Sequence, residues 1–399
     1  MSMGADLKFI HCSDLHLGRR FTGVSDSDPA LGKRLRESTF ISFKRIVDLA
    51  ISEKADLMVI SGDIFDEENE TPSTRHRFAS ELERLKMPCF ISLGNHDFKR
   101  SWEQSIPYPP NVHVFSGTPE SVRISINGNT VEIVGRSFSS KHTTENLAAS
   151  LKGSPDLFTI AVVHCSADQG SDDDRYAPCK HTDLLGKNVD YWALGHIHKR
   201  SVLYENPHIV YSGNIQGTSS KESGEKGAYV VNVRNGSVSN LKFIPTQDIL
   251  WQDISADITG KTLDRLLKEI VSESKKGSIL SLRIKGRGDE LDRSLRLHTK
   301  EFTEQLSALS DCVVSSIDIG TRPEIEVSKL EKNDLIYRIA EVSEVLSKLP
   351  REELIHKICS AKTSSDIRSV FEKMSDEELH SMITDAEMMI IEKLSEGPQ

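Results

Sequence analysis

An α/β fold with its chemistry gathered at one sheet edge is what this chain predicts, and three observations predict it. Short apolar, β-branched runs recur at residues 7–10, 57–60, 89–91, 158–163 and 191–194, and such runs read as buried strands. Segments with helical spacing separate the first three runs. Every run is followed within four residues by Asp, His or Asn, and the ends of strands are where α/β sheets place ligands.

Taken in order, the first run leads into a polar loop over residues 19–30. Phe40, Phe43, Ile46, Val47, Ala50 and Ile51 then repeat at helical spacing, which predicts a helix over 36–54. Pro72 opens a second helix to about residue 85, which delivers the chain to the run at 89. Residues 112–115, 121–126 and 130–134 read as shorter strands, with Asn127-Gly128 as a hairpin turn. Further strands are expected at 208–211, 228–233 and 241–244, with Asn235-Gly236 as another turn. Past Pro245 the pattern changes to helix 262–271, strand 279–284, helix 294–309 and strand 313–319, a small α+β domain. From Pro323 the chain is charged and helical in spacing, with stripes at Leu335, Ile339, Val342, Leu346, Leu349 and at Leu379, Met382, Ile383, Met389, Ile390. The expected domains are therefore 1–245, 246–322 and 323–399.

Five motifs follow the strands: Asp14-Leu15-His16, Gly62-Asp63, Gly94-Asn95-His96-Asp97, a lone His164, and Gly195-His196-Ile197-His198. Borderline divalent ions such as Mn²⁺, Fe²⁺ or Zn²⁺ accept this mixture of carboxylate, imidazole and amide oxygen. Asp14, His16, Asp63 and His198 suffice for one ion, and Asp63, Asn95, His164 and His196 for a second. Asp63 bridges in this scheme, since one carboxylate can serve two ions about 3.5–4 Å apart. His96 and Asp97 are left for catalysis, His96 as proton donor to a leaving oxygen and Asp97 as acceptor for its other ring nitrogen.

In this order the motifs resemble the calcineurin-like metallophosphoesterase superfamily, over roughly residues 7–245. Within it, Asp14 to Gly18, Gly62 to Asp66, Asp190 to His198 and Tyr211 to Asn214 are similar to SbcD-type DNA repair exonucleases. Arg36 to Phe40 and Tyr176 to Cys179 look more like a YhaO-type subgroup. The resemblance implies a four-layer α/β/β/α sandwich with a small α+β capping domain, two divalent ions with Mn²⁺ usual, and cleavage of DNA single strands or duplex ends. It also implies an SbcC-like coiled-coil ABC ATPase, docked on the helical C-terminal region, and a homodimer with the helix at 72–85 as its candidate contact. Asp66 stands where many SbcD-like nucleases have a histidine. A small-molecule phosphodiesterase or phosphatase on the same dinuclear site is the alternative, and a scaffold with structural metals is a third.

Among 399 residues 37% are hydrophobic, enough for packed cores, and no apolar run reaches a membrane span. No signal-peptide core precedes residue 7, so the cytoplasm is expected. Six scattered cysteines without a C-x-x-C pair read as reduced, buried thiols. The net charge of −10 argues against a nucleic-acid partner only until it is located, since residues 323–399 hold 17 acidic and 10 basic side chains. Three ligand loops end in basic pairs, Arg19-Arg20, Lys99-Arg100 and Lys199-Arg200, and their convergence predicts a rim that tracks a sugar–phosphate backbone.

Overall fold

The computed structural model describes residues 5–19, 21, 29–66, 71–97, 105–168, 176–322, 335–359 and 365–395. It divides into two compact units, Met1–Thr321 and Arg322–Gln399. In the first, strands β1 (Leu7–Cys12), β2 (Leu57–Ser61), β3 (Cys89–Ser92) and β4 (Val112–Val114) lie side by side and parallel. The antiparallel strands β13 (Gly227–Arg234) and β14 (Ser237–Pro245) complete this sheet on the β1 side.

A second six-stranded sheet holds β5 (Glu120–Ile126), β6 (Asn129–Arg136), β7 (Phe158–His164), β10 (Tyr191–Gly195), β11 (Ser201–Glu205) and β12 (His208–Tyr211). Its order is β11-β12-β10-β7-β6-β5, with β6, β7, β10 and β12 parallel. The short strands β8 (Ser166–Ala167) and β9 (Pro178–Cys179) pair outside it.

Period-two alternation explains why the central runs are wholly apolar. Leu7, Phe9, Leu57 and Val59 point between the sheets, where they meet Ile133, Ile160, Val162 and Ala193. Their neighbours Ile10, Cys12, Met58 and Ile60 point outward, against helices α1 (Pro29–Ser52) and α2 (Pro72–Arg84). Parallel strands covered on both faces have no polar side to show. Helix α1 presents Phe40, Phe43, Ile46, Val47 and Ala50 to this core, and α2 presents Phe78 and Leu82. Thr71 caps α2, accepting from the Thr74 amide.

Helix α1 begins at Pro29, seven residues before the predicted start. Its first turns gain a partner that local spacing does not reveal, because Leu31 and Leu35 pack on Phe21, Ile249, Trp251 and Ile279. The outer face of the second sheet is covered by 3-10 turns, Ala148–Ser150 and His181–Leu184, together with loop residues such as Phe138 and Leu151. The connections there carry Gly153, Pro155 and Gly186 and, among the described residues, form only 3-10 turns and loops, so the fourth layer is thin.

The rest of the first unit is a three-stranded sheet of β15 (Trp251–Asp257), β16 (Ile279–Arg287) and β17 (Val313–Arg322), in that order. Helices α3 (Leu263–Glu273), α4 (Asp289–Leu297) and α5 (Thr299–Ser310) supply its core through Leu266, Ile270, Leu295, Phe302 and Leu306. Strand β15 was not among the expected elements, although Trp251, Ile254 and Ala256 alternate with Asp253, Ser255 and Asp257. The predicted helix 294–309 is two helices that meet at His298.

The second unit holds α6 (Leu335–Ser347), α7 (Arg351–Ile358), α8 (Ser365–Lys373) and α9 (Asp376–Ser395). Each predicted stripe divides here. Leu346, Leu349, Leu379, Met382 and Ile383 pack with Leu354 and Ile355, whereas Leu335, Val342, Met389 and Ile390 are exposed. None of the described helices is long and apolar enough to cross a membrane. All six cysteines are free and buried.

Candidate metal centre

The motifs meet because β1, β2 and β3 end side by side in one sheet, while β7 and β10 do so in the facing one. Backbone bonds lash the first two loops together, from the Asp14 amide to the Gly62 carbonyl (3.0 Å), His16 to Asp63 (3.0 Å) and Leu17 to Ile64 (2.9 Å). The motif glycines allow this approach. A Cβ on Gly94 would stand 2.1 Å from Asp63 Oδ1, and one on Gly195 would stand 1.7 Å from the Ser61 carbonyl oxygen. Asp14, His16, Asp63 and His196 adopt left-handed backbone, with φ of 51°, 43°, 50° and 102°. Non-glycine residues hold such conformations at a cost, where surrounding structure fixes them, and they cluster at functional sites.

Ligand atoms of Asp14, His16 and His198 lie within 4.8 Å of one another, as do those of Asp14, Asp63 and His164. Asp63 Oδ2 is 3.9 Å from His16 Nε2 and 3.4 Å from His164 Nε2, so this carboxylate stands between the two groups. Asn95 Oδ1 is 3.1 Å from His164 Nε2. The His196 amide donates to Asp14 Oδ1 (3.0 Å), and its ring lies 5.2 Å from that of His164. All seven candidate ligands are thus drawn to one place.

Their hydrogen bonds test whether cations fit. His16 Nδ1 donates to Asp66 Oδ1 (2.6 Å) and His198 Nδ1 to Glu222 Oε1 (2.5 Å). A carboxylate on Nδ1 fixes the proton there and leaves Nε2 a lone pair. The two Nε2 atoms nevertheless face each other at 3.0 Å. Likewise His164 Nδ1 donates to the Ser61 carbonyl (2.9 Å), which turns its Nε2 lone pair on the oxygens of Asn95 and Asp63. Acceptors opposed at hydrogen-bond distance require positive charge between them, and this donor set suits a borderline divalent ion.

Charge at the site acts in the same sense. Burial pushes the His164 ring down, but the Asp63 carboxylate beside it outweighs burial and raises it to about 9, so that without a cation a proton on Nε2 supplies the positive charge between these atoms and a bound ion would replace it. Burial opposes ionisation of Asp63, yet His164, His16 and His96 hold it well below the usual carboxylate range. Glu222 is likewise held low against burial by bonds from His198 and Thr218.

His96 lies at the open side of the cluster, with a side chain 36% exposed and its ring 5.5 Å from that of His16. Asp97 does not hold that ring. Its Oδ2 accepts from the amides of Ile64 (3.1 Å) and Gly94 (2.9 Å), and its Oδ1 from that of Phe65 (2.9 Å). A buried carboxylate one residue past His96 is close enough to tie the β2 and β3 loops together, and these amides take both of its oxygens. The carboxylate that reaches His96 is Asp66, 3.5 Å from Nδ1.

The basic rim is only partly placed, since Arg20, Lys99 and Arg100 fall outside the described residues. Arg19 pairs with Asp66 (3.4 Å). Arg200 donates to the Glu225 carbonyl (2.8 Å) and stacks on Phe243 (4.0 Å). Lys199 is exposed.

Several residues at the site had not been anticipated there. Glu222 sits in a polar loop without a motif, and Lys226 is buried with Nζ on the His198 carbonyl (3.0 Å). Ser13 donates to Asp14 Oδ2 (2.5 Å), and Tyr176 lies 5.2 Å from the His196 ring. Ser13, beside a motif, and Tyr176, in the stretch that resembles a YhaO-type subgroup, gave a signal, whereas Glu222 and Lys226 gave none.

Two facing parallel-rich sheets, with buried carboxylates and imidazoles gathered where their strands end, define an enzyme of the metal-dependent phosphoesterase class. Residues 7–200 match the calcineurin-like phosphoesterase family model. The chain is 35% identical over 321 residues to the uncharacterized metallophosphoesterase YhaO of Bacillus subtilis (strain 168), covering 77% of this chain and 78% of that one. It is 23% identical over 366 residues to the DNA double-strand break repair protein Mre11 of Sulfolobus acidocaldarius, covering 83% and 89%. Among solved structures it is similar to a dimetal phosphatase from Danio rerio, with TM-score 0.37 and 11% identity over 57% of this chain and 93% of that one. The chain belongs to the calcineurin-like phosphoesterase family.

Proposed function

We propose that this protein is a two-cation phosphodiesterase that cleaves DNA, single strands or duplex ends, in double-strand-break repair. The observation behind this reading is the cluster of Asp14, His16, Asp63, Asn95, His164, His196 and His198, whose carboxylate, imidazole and amide groups converge beside the half-exposed His96. Asp14, His16, Asp63 and His198 would hold one divalent ion and Asp63, Asn95, His164 and His196 a second, Mn²⁺ by our reading, which when bound would supply charge neutralisation for a phosphodiester and a more acidic water. His96 delivers a proton to the leaving oxygen from the open side, and Asp66 steadies its ring. Asp97 keeps the loops of Asp63 and Asn95 in register through their backbone amides.

DNA is favoured over a small substrate by the extent of the Mre11 similarity. It runs over 366 residues and so reaches well past the family domain. An SbcC-like ATPase is the partner we assign to the C-terminal helices, where Val342, Val345, Met389, Ile390 and Leu394 present an apolar surface. The second reading, a small-molecule phosphodiesterase or phosphatase, is favoured by the engagement of Arg19 and Arg200 inside the chain.

Digestion of end-labelled single- and double-stranded DNA with Mn²⁺ separates them. Cleavage lost in both His96→Ser and Asp63→Ala supports the nuclease. Hydrolysis of a chromogenic diester with no DNA cleavage, alone or with the ATPase, favours the small substrate.

A further inference from the structure

Glu222 lies 24 residues beyond His198, on a short turn with no place in any metal motif. Both of its carboxylate oxygens are engaged. Oε1 takes the His198 Nδ1 proton, while Oε2 accepts from the Thr218 amide (2.6 Å), the Thr218 hydroxyl (2.8 Å) and Asn214 Nδ2 (3.1 Å). The side chain is pinned at both oxygens and fixes the aim of one imidazole.

The segment bearing it is seated on the third sheet, not on the two that supply the ligands. The Gly224 amide donates to the Trp251 carbonyl (2.9 Å), and Ser223 Oγ donates to Asp253 Oδ2 (2.7 Å). Trp251 Nε1 reaches back to the Gly217 carbonyl (2.8 Å), so the strap from 217 to 224 is tied to β15 at both ends. There is no slack inside it, since a Cβ on Gly217 would meet the Glu222 carbonyl oxygen at 2.7 Å and Trp251 Cδ1 at 2.9 Å.

We infer that Glu222 is a positioning residue for His198 and that β15 sets its aim, so the cation held by Asp14, His16 and His198 is bound tightly only while the strap stays seated. For the other cation the ring aim that is seen is that of His164, set by the Ser61 carbonyl at the end of β2 and not by the third sheet. The third sheet thereby reports its position to one of two metal ions. Anything that shifts it, a long substrate included, alters the occupancy of that ion first. This inference rests on the two-cation reading above.

The test is calorimetric titration of the metal-free full chain with MnCl₂, with electron paramagnetic resonance to count coupled ions. Wild type binds two. Glu222→Gln weakens one ion by about 10- to 100-fold, the usual cost of removing a carboxylate behind a ligating imidazole, and spares the other. Ser223→Ala with Asp253→Ala, which touches no ligand, weakens the same ion by a smaller factor and also keeps the proposal testable if Glu222→Gln does not fold. Unchanged affinity in Glu222→Gln, equal loss at both ions, or no effect of the strap pair overturns the inference. A wild type that binds no Mn²⁺ overturns the two-cation reading instead.

Discussion

Replacing Asp97 with Asn separates a clamp from a ring-orienting role. The carboxylate receives three backbone N–H groups from two loops, and Asn offers one acceptor oxygen and one donor. In its better orientation Asn keeps the Ile64 and Gly94 bonds and sets its own N–H₂ against the Phe65 amide. A buried donor left facing a donor costs about 1–3 kcal/mol and, above the value of about 7 to which burial and the nearby Asp63 push the Asp97 carboxyl, loss of charge roughly halves the two remaining bonds. Together these amount to ~2–4 kcal/mol. For a unit the size of Met1–Thr321, an unfolding entropy of roughly 0.7 kcal/mol/K turns that into a fall in melting temperature of ~3–6 °C. The measurement is thermal unfolding in chelator, so that cations do not mask the change, with turnover measured in parallel. An unmoved melting temperature together with a large loss of kcat would refute the clamp and return Asp97 to service of the His96 ring.

Two further outcomes follow from the same structure. His11 is buried with Nδ1 on the Tyr191 hydroxyl (3.0 Å), and burial lowers its pKa from 6.5 to about 3. The native ring stays neutral, so its contribution is complete above pH 6.5 and is lost as pH falls toward 3. At pH 5 the loss is about 2 kcal/mol, from 1.5 pH units at 1.36 kcal/mol each. Urea titrations at pH 7 and 5 should show a flatter pH dependence in His11→Gln than in wild type, and equal slopes would refute this. For the basic pairs, Lys199→Ser should reduce the magnitude of the salt slope of DNA binding by about 0.9, the value of one phosphate contact. Arg200→Ala should leave the slope alone and destabilise the fold through Phe243 and Glu225; a lowered slope would place Arg200 on the DNA.

The parallel core and the five ligand loops were legible because both signals are local. An apolar run covered on both faces must be apolar at consecutive positions, and its ligands must follow it within four residues, so residues 57–63 state strand and site in seven letters. Elements whose stability comes from distant partners were less readable. The first turns of α1 depend on Ile249 and Trp251, and β15 owes its place to pairing with β16, Trp251 opposite Ile279. Neither contact is written in the segment it stabilises.

The same distinction runs through the site. Ligands could be named from the motifs, whereas the groups that aim them could not, since these lie 50 residues from His16 in the case of Asp66 and 24 from His198 in that of Glu222. Asp66 drew notice only as a departure from a histidine expectation, yet its carboxylate touches His16, Arg19 and His96 together. A histidine there would place a third ring beside two others and remove the acceptor that fixes the His16 tautomer. With aspartate, the negative charge next to the cluster is greater and the His96 ring faces a carboxylate. Burial lowers the His96 pKa and the Asp66 carboxylate opposes that shift, so Asp66→His should weaken the protonated form of the proposed proton donor and change the His96-dependent step. A pH–rate profile identical to wild type would show that Asp66 acts on His16 alone.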